Sequence, residues 1–526
     1  MAKMKRRDFL RVTTAVAAGV ILSSCKPKTP TPEPTKAPAQ PTKAAAQPTK
    51  EAAKPAGKRG VYPPGLDWFK PRAESLKNLP VDHKPGELIT QEEWYALLGD
   101  PPKEEIEAAF WLEGYGHGWV KFVASLLEKE HPGAKVKVWG DPRIWETLQP
   151  RLVDGDIPDV GRLWIKGGEQ AMIQGVKDNV YAPVDILLDV EAYGWGEGKR
   201  VRDIIPAGGL EGASMGLTDA QWAMPLTQNA NGIYYNVAMF EEHGWPDPGT
   251  LTWEEFMDLC AEIKKAGIAP WTYQGKYPGY FNIVLRPLIY KSAGAKAVCD
   301  IDNLVEGAWK NPDVLWAMEQ IQLIFKNGWI FPGAEAMSHT EGQQVFMDGK
   351  AAFVPCGMWM EREMEETTPE GFRMKLIGIP APKNGKGNPK AAEVSEGGPA
   401  LTVGNGKHPL WGMEYLRLVY SPDNAKYWAE KIGALLAVKD PLQGATNVSE
   451  ALQSGIDLIK SAEGHYIKFW YGAWYPTIGK VWGDNMGDFL WGRVSVEEMA
   501  DMLERAAREV REDPTIEKHK RTDCSD

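Results

Sequence analysis

The chain has 526 residues, 43% hydrophobic and 25% charged, a globular profile too long for one core, so two lobes or domains are expected. No apolar run reaches the roughly 18–20 residues that span a bilayer, and the composition excludes wholesale disorder and collagen-like structure. The net charge of −11 conceals an asymmetry: residues 1–60 hold 13 Lys/Arg and 3 Asp/Glu, and the remainder holds 47 and 68, a net of −21. So acidic a body lacks the basic footprint that phosphate contact requires, and nucleic acid is not an expected partner. Tryptophan, at 22, outnumbers both Tyr at 17 and Phe at 14. A core or a site must account for that excess.

Residues 1–24 read as an export signal. Lys5, Arg6, Arg7 and Arg11 form a basic region, Val12–Leu22 an apolar stretch, and Ser23-Ser24 precede Cys25. The paired arginines followed by Phe9-Leu10 resemble the twin-arginine motif. Leu22-Ser23-Ser24-Cys25 resembles a lipobox, in which the cysteine thiol accepts a diacylglyceryl group. Cys25 is therefore expected to carry lipid and to hold the chain on the membrane, outside the cytoplasm. Residues 25–60, with 8 Pro among Thr, Lys, Ala and Gln, cannot bury apolar area and read as an extended tether. The other cysteines, Cys260, Cys299, Cys356 and Cys524, are scattered without a CxxC pair, so no metal site is expected and any disulfide pairing stays open.

Beyond residue 104 strands and helices alternate. Ile106–Trp111 reads as a strand, and Trp119, Phe122, Val123, Leu126 and Leu127 then recur at helical spacing. Pro132-Gly133 stops that helix, and Ala134–Trp139 returns as a second strand. This βαβ unit predicts a parallel sheet, with a functional surface beyond the strand C-termini. Thr252-Trp253-Glu254-Glu255 and Ser495-Val496-Glu497-Glu498 are capping boxes that open later helices. The fold class is α/β.

A succession of segments identifies a family. WVKFVASLLEKEHPGAKVKV is followed by GDIPDV (Gly155–Val160), NGIYYNVAMFEEHGW (Asn231–Trp245), TWEEF (Thr252–Phe256) and KKAGIAP (Lys264–Pro270). Then come FMDGKAAFVPCGMW (Phe346–Trp359), IGIPAPKNG (Ile377–Gly385), SEGGPALTV (Ser395–Val403) and GRVSVEEMADML (Gly492–Leu503). In order and spacing, residues 105–510 resemble an extracellular solute-binding protein (family 1, maltose-binding-protein-like) of an ABC carbohydrate importer. The resemblance implies a periplasmic-binding-protein type II clamshell, two lobes joined by three crossings near 226–231, 400–404 and 436–438. Lobe 1 would comprise 105–230 and 400–437, and lobe 2 would comprise 231–399 and 438–515. Residues 61–104 would be an N-terminal extension and 516–526 a polar tail. The signal and layout are also similar to the branch that binds N-acetylglucosamine and chitobiose. The implied partners are a sugar or oligosaccharide and the importer permease, for a monomer that is not an enzyme and carries no cofactor.

Sugars present C–H faces that stack on rings and hydroxyls that need paired donors and acceptors, so cleft loops should combine aromatic with polar residues. The first βα loop offers Glu113, Tyr115 and His117 among glycines. Trp164 follows the next strand, where the family meets ligand, and Trp359 matches the position at which an aromatic stacks on sugar in the other lobe. Glu396, Gly397 and Gly398 precede one crossing, and Gln228 and Asn229 sit at another. Trp271 and Tyr280 are expected at the cleft rim, with Trp474 and Tyr475 completing the set. The same fold could take a peptide or another polar solute, although peptides are read mainly through backbone hydrogen bonds. A secreted glycoside hydrolase would need two carboxylates across the scissile bond, and no HExxH or P-loop pattern is present either.

The lipobox reading has a direct consequence. Cys25→Ala should leave the protein unlipidated, and cell fractionation should find it in the soluble extracytoplasmic fraction. Retention of that variant in the membrane would sink the reading.

Overall fold

The computed structural model describes residues 66, 68–79, 83–111, 115–163, 169–206, 208–214, 217, 219–395 and 400–525. The expected βαβ unit forms: β1 (Ile106–Trp111) and β2 (Val136–Asp141) run parallel, joined by the helix Gly118–Glu130. Both capping boxes close, with Thr252 and Glu255, and Ser495 and Glu498, bonding reciprocally at their helix starts.

Among the described residues two sheets organise the chain. In the first, β3 (Val160–Gly161) extends β1 in parallel, and β11 (Ala400–Gly404) pairs antiparallel with β3, β4 (Tyr181–Ala182) and β5 (Met224–Pro225). In the second, β6 (Thr227–Asn236) is central. It pairs antiparallel with β8 (Ala351–Gly357), β9 (Met374–Ile377), β10 (Glu393–Ser395) and β12 (Leu435–Leu436). β7 (Ala269–Trp271) lies parallel on the outer side of β8. The main chain changes sheet between β5 and β6, between β10 and β11, and on reaching β12.

Each sheet has its own core. Residues 66–226 and 400–438 supply one apolar cluster around the first sheet. Helices cover both faces of the second, and the period-two alternation of strands decides which side chain meets which layer. Ile233 and Tyr235 of β6 join one cluster, while Tyr234, between them, joins the other. On β8, Phe353 faces the first of these layers and Val354 and Cys356 the second.

The segment before β1 belongs to the first core. Leu66, Phe69, Leu76 and Trp94 are buried in it. The helix Gln91–Leu98, started by a Thr90–Glu93 capping box, brings Trp94 onto Glu414 of the helix Pro409–Val419. The Trp94 indole donates to Glu414 Oε2 at 2.7 Å, and Arg417 donates to both carboxylate oxygens at 2.7 and 2.8 Å. His131 Nε2 lies 2.8 Å from Oε1. The side chains of Glu414 and Arg417 are both fully buried. At the other end Cys299 and Cys524 form a disulfide, resolving the pairing that the sequence leaves open, while Cys260 and Cys356 are buried thiols.

Burial pushes the Glu414 carboxyl up, but Arg417 and the hydrogen bonds outweigh it and hold the group below the usual carboxylate range. A depressed folded-state value means that the stabilisation is present above the unfolded value of about 4.3 and is lost as pH falls through the folded value. Glu414→Gln leaves the buried Arg417 charge uncompensated and should cost about 3–5 kcal/mol at neutral pH. Denaturant unfolding should show that deficit shrinking below about pH 4, as the wild-type carboxyl protonates. A deficit independent of pH would refute the ionic account.

Candidate functional site

The parallel strands β1, β2 and β3 bring the residues at their C-terminal ends together. Trp111 closes β1, its indole donating to the Pro142 carbonyl at 3.0 Å just past β2. The Trp145 ring lies 6.3 Å from it, and the Arg162 guanidinium, just past β3, stacks 4.7 Å from the Trp111 centroid. His117, at the start of the helix Gly118–Glu130, abuts Gly140, where a Cβ would come within 2.3 Å of the imidazole. Burial, then the Lys121 ammonium, pushes His117 below its ordinary value, so a neutral ring is favoured.

A second group of residues is built on β6. Met358 N–H donates to Asn229 Oδ1 at 3.0 Å, and Asn229 Nδ2 donates to Asn231 Oδ1 at 3.0 Å. Asn231 in turn donates to Glu393 Oε1 at 3.1 Å. This amide relay ties the turn after β8 to β10. The turn presents Trp359, half-buried, which packs against the core of the first sheet and against one layer of the second. Its ring lies over Gly357, where a Cβ would come within 2.0 Å. Tyr280 is half-buried in the same layer, and burial pushes its phenol up, the Trp359 indole partly opposing. Burial likewise raises the Glu393 carboxyl, against the pull of Arg286 and Asn231.

Three expected positions, Trp271, Tyr475 and Tyr115, lie in the core instead. Trp271 is fully buried, with ring centroids of Phe256, Phe281 and Phe353 within 5.7 Å, so it packs the core and does not line a rim. Tyr475 is also buried, its hydroxyl accepting the His519 N–H at 3.0 Å. Tyr115 is buried 5.0 Å from the Trp428 ring, within the first core. Gln228 is half-buried and pairs with Leu435 where β6 meets β12. Trp474 is half-buried and stacked on Trp470. Glu113, Trp164, Glu396, Gly397, Gly398 and Cys25 lie outside the described residues. Trp111, Trp145, Arg162 and Glu393 escaped the sequence reading. Trp111 ends the predicted strand, so the rule that sites gather at strand C-termini points to it.

Two α/β lobes, each presenting rings and polar groups beside the chain crossings, define a binding protein of the type II clamshell class. The chain belongs to the bacterial extracellular solute-binding protein family, whose model matches residues 123–451. It is 27% identical over 427 residues to the diacetylchitobiose binding protein NgcE of Streptomyces coelicolor, covering 80% of this chain and 88% of that one. Identity to the multiple sugar-binding protein of Streptococcus mutans is 23% over 357 residues, covering 63% and 76%. The fold is shared with a chitin oligosaccharide binding protein (TM-score 0.61, 18% identity, 77% of this chain and 98% of that one). It is shared too with the raffinose complex of RafE (TM-score 0.58, 19% identity, 77% and 99%).

The closeness of the Trp359 ring to Gly357 is testable. Gly357→Ala must drive the indole out of its seat between the two cores, which should cost about 1–3 kcal/mol of stability. Thermal unfolding and a shift in tryptophan emission should report it together. An unchanged emission spectrum would show that the ring is seated elsewhere.

Proposed function

We propose that this protein captures a sugar or oligosaccharide between its lobes, an N-acetylated chito-oligosaccharide foremost, and delivers it unaltered to the permease of an ABC importer. The observation that carries the reading is Trp359, a half-buried indole at the end of β8 that touches the cores of both lobes. A flat apolar ring in that position offers a stacking face to a pyranose, while Asn231 and Glu393 supply hydrogen-bonding groups nearby. The relative that binds diacetylchitobiose spans most of this chain and supports the ligand class. Glu113, Trp164, Glu396, Gly397 and Gly398 belong to the same proposed cleft by family resemblance. Closure on the ligand would create the shape that a permease distinguishes from the empty form. The lipobox at Cys25 and the proline-rich tether support anchorage to the membrane from outside the cytoplasm.

Trp359→Ala tests it. With diacetylchitobiose as the titrant, calorimetry should record a loss of about 2–4 kcal/mol in binding, or roughly 30- to 1,000-fold in affinity. Trp359→Phe should keep much of the stacking. The sugar should be recovered intact after long incubation. Binding by Trp359→Ala within threefold of wild type would remove this ring from the site.

A further inference from the structure

The C-terminal segment after the helix Val496–Glu512 is tied back to the body. Cys524 is joined to Cys299, which lies on the helix Ala295–Asp302, 225 residues away in sequence. Between them Arg521 donates to Asp302 Oδ2 at 2.9 Å and to the Lys468 carbonyl at 2.8 Å. Its backbone N–H donates to Asn303 at 2.7 Å, and Asn303 Nδ2 donates back to the Arg521 carbonyl at 3.0 Å. Asp302 is fully buried, and its second oxygen accepts the backbone N–H groups of Trp470 and Tyr471 at 2.8 and 2.9 Å. One carboxylate thus ties the tail to the start of the turn Tyr471–Trp474. His519 completes the attachment. Its ring stacks on Trp474 at 5.2 Å, and Trp474 stacks on Trp470 at 6.1 Å, with interplanar angles of 29° and 14°.

The segment that leads into these rings joins the second sheet next to β10. His465 and Ile467 bond to Ala392, the residue before β10, in a parallel bridge centred on Tyr466. The Arg286 guanidinium lies 5.9 Å from the Phe469 and Tyr471 rings and feels the charge of Glu393. Glu393 is the end of the amide relay that reaches Trp359. The helix that carries Trp474 has four residues, far too few to hold two half-buried indoles by its own hydrogen bonds. Something outside it must set their orientation before ligand arrives, because ordering them on binding would cost affinity.

We propose that the disulfide-tied tail is a positioning element of the sugar site, in which His519 and Arg521 hold Trp470 and Trp474 as a second stacking surface. The proposal rests on the sugar-binding reading for its ligand but not for the ring positions. His519 acts through Trp474 and need not touch the sugar.

Two measurements on the full chain separate these points. Fluorotryptophan is incorporated, and the ¹⁹F resonances of Trp470 and Trp474 are assigned by their Trp→Phe variants. Without any sugar, His519→Ala should shift and broaden both resonances, and His519→Phe should return them to near their wild-type positions. Calorimetry with diacetylchitobiose should then show affinity falling about tenfold in His519→Ala, the upper end of what one aromatic pair contributes. His519→Phe should recover to within twofold of wild type, a rescue that general destabilisation of the tail would not give. The double variant Cys299→Ser/Cys524→Ser should lose a similar factor. Unchanged ¹⁹F resonances in His519→Ala would overturn the positioning role whether or not any sugar binds. Altered resonances with unchanged affinity would overturn the claim that these rings serve the site. If wild type itself binds no sugar, the functional reading and the assignment of a sugar surface fall together. The fluorine spectra still decide whether the tail holds the rings.

Discussion

The register of β6 is the constraint from which the rest follows. Ten residues of one strand pair in turn with β12, β10, β8 and β9, and β5, one residue upstream, lies in the other sheet through β11. A slip of one residue would exchange the two faces, sending Ile233 and Tyr235 to the layer that receives Tyr234. It would also turn Asn229 and Asn231 away from Met358 and Glu393, and the turn that carries Trp359 would lose its anchor. The apolar layers therefore specify the register, and the register places the polar relay. Because the same strand begins at a change of sheet, the polar relay and that crossing share a backbone.

Tryptophan does two different jobs here. Trp94, Trp222, Trp253, Trp271, Trp309 and Trp428 are fully buried, where an indole fills volume and loses all exposure to water. Trp111, Trp145, Trp359, Trp470 and Trp474 are only half-buried. Each of these rings is partly exposed and is set by a specific neighbour: Pro142, Arg162, Gly357 or another ring. A half-exposed ring that is held in this way has little entropy left to lose on binding.

The two chain ends contribute to rigidity through buried carboxylates. Glu414 collects Trp94, Arg417 and His131 from three stretches of sequence, fastening the N-terminal extension to the first core. Asp302 joins the C-terminal tail to the Trp470 turn. Neither carboxylate could stay charged in its surroundings without these partners, since an isolated buried charge costs several kcal/mol. Removing one partner therefore exposes the others to the same penalty.

The α/β class, the first βαβ unit and both capping boxes were legible in the amino-acid order, because periodicity and capping act between residues a few positions apart. The family succession was legible for the same reason, as a string of local segments. Trp271 and Trp359 show where that stops: one closes β7, the other sits in the turn just past β8, and nothing nearby in sequence distinguishes them. Trp271 is buried because Phe256, Phe281 and Phe353 converge on it from three other elements, whereas Trp359 packs beside the first core and stays half-buried. The pairing of Cys299 with Cys524 spans 225 residues, and the convergence of Trp94 on Glu414 spans 320. Local order in the chain determined which helices and strands form. Only the packing of distant segments decided which rings stay half-exposed and which are core, because burial depends on everything that converges on a residue.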